Sequence, residues 1–168
     1  MKSLVSGLAL ALAFTLVPAT GTVAAATASP DTATPAAAQP EVLDSAFGLF
    51  SLGGDGSPPF KPAAVVPLVE GQAYGWIIKL RTDSKQVRWR EEFTLPAAPE
   101  AWNGATEAGV KHTLSADSRV SVMERAVEPS GGLIFNSWSV AKGDPAGKYR
   151  IRVFVEGRLA ASFEFDVR

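Results

Sequence analysis

From Val42 onward the apolar residues follow a period of two in the clearest segments, and no segment offers a long helical stripe, with room for at most a short helical turn in Ala98–Ala108. The alternation is clearest in four segments, which span residues 74–81, 87–95, 149–156 and 163–168. A period of two buries one set of side chains and leaves the other in water, as in antiparallel sheets. The pattern therefore limits this part of the chain to an all-β fold.

Four weaker strands and several turns extend this pattern. Glu156-Gly157-Arg158 predicts a tight hairpin between the last two strands. Seven or eight short strands joined by such turns favour an antiparallel β-sandwich, and a small barrel is the alternative. Glycine- or proline-rich breaks separate the weaker strands, which are predicted at Leu43–Leu52, Ala63–Val69, Arg119–Val127 and Leu133–Val140.

Residues 1–26 have the pattern of a secretory signal peptide. Met1-Lys2-Ser3 gives a positively charged start, and Leu4 to Val17 is an apolar run. Ala24-Ala25-Ala26 supplies the small residues that signal peptidase requires. The apolar run is shorter than the roughly 20 residues that span a bilayer. We therefore expect an exported protein, periplasmic or secreted, with no membrane span after cleavage.

Residues 27–41 differ in composition from the residues after them. They are mostly Ala, Thr and Pro and lack the bulky apolar groups that could offset the entropy of ordering. This predicts a disordered linker over 27–41 and a folded domain over 42–168.

The last third of the chain resembles the immunoglobulin-like superfold. In that fold an Asp–Gly turn, here within Asp144–Gly147, precedes a Tyr whose hydroxyl bonds back to the backbone, here Tyr149. Trp89 corresponds to the buried Trp of the third strand, and Ile151 stands where antibody domains carry a Cys. The resemblance covers about residues 62–168 and extends to uncharacterised exported bacterial domains. It implies an immunoglobulin-like β-sandwich of seven to eight strands without a disulfide.

The chemistry of most catalytic and cofactor sites is absent from the sequence. There is no Cys and a single His, His112, so neither a zinc site nor a Ser–His–Asp triad is indicated. Sixteen Lys and Arg residues nearly balance 17 Asp and Glu residues, which gives no electrostatic reason to expect nucleic acid as a partner. We expect no catalytic residue, no metal and no cofactor.

Glu91 is in phase with the buried positions Trp89 and Phe93, so strict alternation would bury its carboxyl group. A lone buried carboxylate is costly and has a raised pKa. The favoured interpretation is therefore a β-bulge at Glu91-Glu92, where the phase slips. The alternative is an acid catalyst acting with a second carboxylate, as in glycosidases.

One candidate partner-binding surface is an outward sheet face. If the strands pair as in the immunoglobulin-like fold, their outward residues include four Arg and one Phe, which suit a carboxylate-bearing or aromatic partner. The alternative is a checkerboard in which these Arg residues pair with acids such as Glu164 and Asp166 on the next strand. The candidate residues are Arg88, Arg90, Arg150, Arg152 and Phe154.

The other candidate is the long connection 96–111, which contains Trp102. Connections of this length are often functional. Trp102 could stack on a sugar ring or anchor a protein partner. Alternatively, it folds back and closes one end of the sandwich.

These observations predict a non-enzymatic binding or accessory module that recognises a protein or glycan partner. The alternative is a structural or chaperone-like module that pairs an edge strand with another chain, and a long unprotected edge strand would favour it. A carboxylate-dependent hydrolase is a third, weaker hypothesis. The sequence does not indicate the oligomeric state.

Overall fold

A computed structural model describes residues 39–51, 60–102 and 109–168. The expected signal peptide and residues 27–38 of the expected linker lie outside these ranges. The described residues form ten strands and no helix, so they contain no helix that could cross a membrane. The strands are β1 (Glu41–Phe50), β2 (Phe60–Pro62), β3 (Val65–Val66), β4 (Ala73–Arg81), β5 (Val87–Thr94), β6 (Val110–Leu114), β7 (Val120–Val127), β8 (Leu133–Ser139), β9 (Gly147–Val155) and β10 (Arg158–Val167).

The strands form two sheets. The smaller sheet has the order β2-β1-β4-β8, and the larger has the order β3-β10-β9-β5-β7-β6. All neighbours are antiparallel except β3 and β10, which are parallel. The immunoglobulin-like β-sandwich is therefore confirmed, and the barrel alternative is wrong because the sheets remain separate.

Large aromatic side chains fill the space between the sheets. Trp76 from the smaller sheet meets Trp89 from the larger one edge to face, with ring centroids 5.4 Å apart. Phe47 stacks on Phe165 with centroids 4.0 Å apart. These rings belong to one buried cluster that also contains Tyr149. The alternation read from the sequence thus identifies the core face of each main strand.

Two local predictions about the chain path are confirmed. The Tyr149 hydroxyl donates a 2.7 Å hydrogen bond to the Pro145 carbonyl oxygen, as the resemblance implies. Glu156 and Gly157 both have positive φ, 45° and 79°, and connect β9 to β10. Two such residues make a hairpin turn whose twist matches that of the flanking strands.

The short strands at the sheet edges depart from the sequence prediction. The strand predicted at Ala63–Val69 is reduced to Val65–Val66, and Pro67 follows it directly. Neither β2 nor β6 was predicted. Each is no longer than five residues, which is too short for a period of two to stand out.

Candidate functional site

β8 is an edge strand of the smaller sheet and pairs with β4 on one side only. The Leu80 N–H donates to the Gly132 carbonyl oxygen, 2.8 Å away. This bond identifies Leu80 and Gly132 as a hydrogen-bonded pair of the β4–β8 ladder, and it thereby indicates which β8 residues direct their backbone groups to β4. In an antiparallel ladder hydrogen-bonded pairs alternate with non-bonded pairs. The backbone groups of Ile134, Asn136 and Trp138 therefore point to β4, and those of Phe135, Ser137 and Ser139 point away from it.

The outward-pointing backbone of β8 is open over most of its length. At the start of the strand, Leu133 exchanges two hydrogen bonds with Ser130, of 2.9 and 3.0 Å. Beyond it, no backbone hydrogen bond reaches Phe135, Ser137 or Ser139 from the outer side within the described ranges. These three residues are exposed, and Phe135 retains 55% of its accessible surface. β8 is thus available to a further strand.

The other sheet edges carry features that discourage strand pairing. β2 contains Lys61 and Pro62, β6 contains Lys111, and β3 has only two residues. The uncovered parts of β1 and β10 carry charged residues, and each has a shift of register, between Val42 and Asp44 in β1 and between Leu159 and Ala161 in β10. Charge, proline, brevity and bulges are the usual protection of edge strands. β8, with the sequence Leu-Ile-Phe-Asn-Ser-Trp-Ser, has none of them.

A cleft of about 430 Å³ runs beside β8. Arg125, Val127 and Glu128 form one wall, and the other is β8 itself, from Leu133 to Ser137. The cleft provides space next to the open backbone edge for side chains of an added strand.

Glu91 fixes the inner side of β8. Its carboxylate is fully buried and accepts hydrogen bonds from Trp76, Asn136 and Trp138. The Asn136 Nδ2–Oε2 distance is 3.1 Å, and the Trp138 Nε1–Oε1 distance is 2.8 Å. Because Asn136 and Trp138 lie on β8 while Glu91 lies on β5, this cluster, the Glu91 clasp, joins the open strand to the opposite sheet.

The expected bulge at Glu91-Glu92 is wrong. β5 keeps an unbroken register with both β7 and β9 through these residues, so Glu91 keeps its inward phase. Burial raises the pKa of the Glu91 carboxyl, and the three donors offset part of that rise. Sequence reasoning missed the clasp although Trp76, Asn136 and Trp138 occupy inward positions of predicted strands. The sequence signal for the clasp was the presence of indole and amide donors at inward positions of strands that face an inward acid.

The predicted charged face lies on the outer side of β5, β9 and β7. Arg90 pairs with Glu92 at 2.7 Å and lies 3.8 Å from Glu124, and Arg152 pairs with Glu92 at 3.1 Å. The Phe154 ring has the guanidinium carbons of Arg90 and Arg152 at 5.3 and 5.0 Å from its centroid. Arg90, Arg152 and Phe154 therefore form one cluster, held in place by Glu92.

Arg88 and Arg150 lie at the two ends of this cluster. Arg88 contacts Glu156 through a 3.3 Å ion pair, although its side chain is 80% exposed. Arg150 is exposed and lies directly opposite Glu164 on β10, in the register that the checkerboard alternative predicts. All five residues predicted for this surface thus share one face, where acids interleave with them.

A shallow groove of about 420 Å³ opens at one end of the charged face. Arg88, Arg90 and Lys111 contribute cationic groups to it, and Glu124 and Glu156 contribute acidic ones. The groove could hold a carboxylate only where an incoming anion displaces these acids from the arginines.

Trp102 lies apart from both surfaces and packs at the end of the core. Its indole N–H donates a 2.7 Å hydrogen bond to the Ser118 carbonyl oxygen. Its ring meets Phe93 and Trp138 edge to face, each with centroids 5.9 Å away. This half-buried position matches the alternative in which Trp102 closes one end of the sandwich, and its role as a contact residue stays a prediction.

His112 lies on the edge strand β6, where its Nε2 is 2.7 Å from the Ser121 hydroxyl. The described part of the chain contains no group of three or more His, Cys, Asp or Glu side chains that could hold a metal ion. His112 thus contacts the neighbouring strand β7 through Ser121.

A family model and one solved structure agree with the fold. The PM0630 beta sandwich domain family matches residues 45–168. An immunoglobulin-like protein from Pseudomonas aeruginosa superposes with a TM-score of 0.54 at 17% identity, over 79% of this chain and 99% of the other. The PmoD soluble domain from a Methylocystis species gives 0.41 at 15% identity, over 76% and 96%. No curated protein sequence matches.

Proposed function

The chain belongs to the PM0630 beta sandwich domain family, and we propose that it is an exported, non-enzymatic binding module that pairs its β8 edge with an extended segment of another polypeptide. The observation that carries the proposal is the open, uncharged backbone of β8 between Phe135 and Ser139. In strand addition, main-chain hydrogen bonds supply affinity and side-chain pockets supply specificity.

The geometry of the edge favours a polypeptide over a glycan. Phe135, Ser137 and Ser139 each present one N–H and one C=O at two-residue intervals, which is the spacing of an extended chain. The cleft beside Leu133–Ser137 accommodates alternate side chains of the added strand. A sugar offers hydroxyl groups without this repeat.

The charged face supports a second candidate, recognition of a carboxylate-bearing partner. The groove beside Arg88, Arg90 and Lys111 is the observation in its favour. It ranks below the β8 edge because Arg88 and Arg90 already pair with Glu156 and Glu92. Any anion bound there would have to replace those contacts.

The position of Glu91 argues against its role as the general acid of a hydrolase. Glu91 has no exposed surface, and its two oxygens accept hydrogen bonds from three side chains. A general acid must reach the atom that it protonates. Glu91 therefore acts as a structural group in our proposal.

Peptide binding tests strand addition directly. The probe is a fluorescein-labelled, seven-residue peptide of alternating Val and Thr, and the control is the same peptide with alternate amides N-methylated. We expect fluorescence anisotropy to show that methylation weakens binding by about tenfold or more, because each lost hydrogen bond contributes roughly 0.5–1.5 kcal/mol.

Two variants localise the binding to β8. Ser137→Pro removes an outward N–H without removing a bond to β4, and Ser137→Ala retains it. We expect Ser137→Pro to bind the unmethylated peptide about tenfold more weakly than Ser137→Ala, given that hydrogen-bond energy. Equal binding of both peptides, or equal binding by both variants, would overturn the proposal.

A further inference from the structure

The outward edge of β8 is complementary to itself. Phe135, Ser137 and Ser139 are the residues whose backbone groups face away from β4. If a second β8 runs antiparallel with Ser137 on the two-fold axis, Ser137 faces Ser137 of the other copy and Phe135 faces Ser139. Each hydrogen-bonded pair exchanges two bonds, so three pairs give six bonds and use every open group of the edge.

We propose that the chain occupying β8 is a second copy of this protein, which joins two four-stranded sheets into one continuous eight-stranded sheet. This inference rests on the proposed function and names its partner. Isologous two-fold contacts are the commonest arrangement of homo-oligomers. The register leaves no unpaired donor or acceptor between Phe135 and Ser139 on either copy.

Charge permits this contact at β8 and opposes it at β6, the edge strand at the far side of the larger sheet. β8 contains no charged residue, so two copies meet without like-charge repulsion. Self-pairing through β6 would bring two copies of Lys111 onto one edge. Like charges directly opposite each other destabilise a pair of strands.

The side chains of the outer face fit the same register. Phe135 is 55% exposed, and its ring centroid lies 6.2 Å from that of Phe50. In the paired arrangement Phe135 lies opposite Ser139 of the other copy, a small residue that leaves room for the ring. Pairing would therefore cover part of an apolar surface that is open to solvent in one copy.

A single cysteine tests the contact, because the chain contains no Cys. Hydrogen-bonded antiparallel pairs have Cα atoms about 5.5 Å apart, which lies within the 4.4–6.8 Å range of disulfides. Ser137→Cys should therefore form a disulfide dimer under mild oxidation. Ser162→Cys, on the exposed face of β10, is the matched control and should stay at the level of random collision.

Sedimentation equilibrium of the chain without cysteine measures the same contact without a crosslink. We expect a monomer–dimer equilibrium whose dissociation constant rises at least tenfold in Ser137→Lys, because two like charges then meet on the axis. Ser137→Ala should dimerise as the unsubstituted chain does. Thermal denaturation of each variant establishes that it is folded.

Each outcome separates this inference from the proposed function. Preferential crosslinking at Ser137, with a dissociation constant raised at least tenfold by Ser137→Lys, supports the second copy. Equal crosslinking of Ser137→Cys and Ser162→Cys, or a monomer at every concentration, overturns it. If the chain is a monomer but still binds the Val–Thr peptide in a Ser137-dependent way, the homodimer inference fails and the proposed strand addition stands. If the chain binds neither a second copy nor the Val–Thr peptide, both proposals fail.

Discussion

The Trp138 indole nitrogen donates a 2.8 Å hydrogen bond to Oε1 of Glu91 and thereby joins the edge strand β8 to the opposite sheet. With Trp76 and Asn136 it leaves no Glu91 oxygen without a donor. Antibody domains cross the same interior with a disulfide, whereas this chain crosses it with a carboxylate. The Glu91 clasp therefore holds the strand that we propose as the binding edge.

Replacing the acid by its amide should weaken the fold. In Glu91→Gln one acceptor oxygen becomes an NH2 group that faces indole or amide N–H donors. We expect the free energy of unfolding at pH 7 to fall by about 1–3 kcal/mol, the cost of leaving buried donors unsatisfied. Urea denaturation measures it, and Glu92→Gln, on the outer face, should change it by about 1 kcal/mol or less. Equal effects of the two changes would contradict the role of the clasp.

The same group should make stability depend on pH. Burial raises the pKa of Glu91 above 4.5, so the folded state retains a proton that the unfolded state releases. The free energy of unfolding therefore falls as pH rises from about 4.5 through the folded-state pKa. We expect the stability advantage of the unsubstituted chain over Glu91→Gln to shrink across this interval. A stability advantage that grows with pH would show that the three hydrogen-bond donors lower the pKa of Glu91 by more than burial raises it.

Removing the Tyr149 hydroxyl tests the corner that relates this chain to immunoglobulin-like domains. Its 2.7 Å bond to the Pro145 carbonyl oxygen has no substitute in Tyr149→Phe. We expect a loss of roughly 1 kcal/mol or more, seen as a lower urea midpoint with an unchanged slope. An unchanged midpoint would mean that water replaces the Tyr149 hydroxyl at the Pro145 carbonyl oxygen without a loss of folding free energy.

Trp102→Ala separates packing from recognition. The indole contacts Phe93 and Trp138 and bonds to Ser118, so its loss should cost about 2–4 kcal/mol, less than a fully buried aromatic. Trp102→Phe should lose roughly 1 kcal/mol, for the missing N–H donor. Peptide binding at β8 should persist in Trp102→Phe. If Trp102→Ala destabilised the fold only weakly but strongly reduced peptide binding, Trp102 would be a contact residue.

Local patterns predicted most of the fold, and non-local contacts account for what they missed. Alternation placed Trp89, Phe93 and Tyr149 in the core because each strand buries one face regardless of its partner. The alternation around Glu91 shows the cost of burying a lone carboxylate but not the groups that offset it, because the donors Asn136 and Trp138 lie 45 and 47 residues away. The exposure of the β8 edge depends on the order of strands in the sheet, which alternation within one strand does not specify.

Hydrogen exchange of the β8 amides tests the central claim, that this edge pairs with another strand, most directly. In the monomer, at protein concentrations below those at which β8 pairs with a second copy, the amides of Asn136 and Trp138 should exchange slowly, since they point to β4, while those of Phe135 and Ser137 exchange rapidly. On addition of the Val–Thr peptide, NMR-detected exchange should slow at Phe135 and Ser137 and remain unchanged elsewhere on β8. Exchange at Phe135 and Ser137 that stays rapid under saturating peptide would contradict strand pairing at β8.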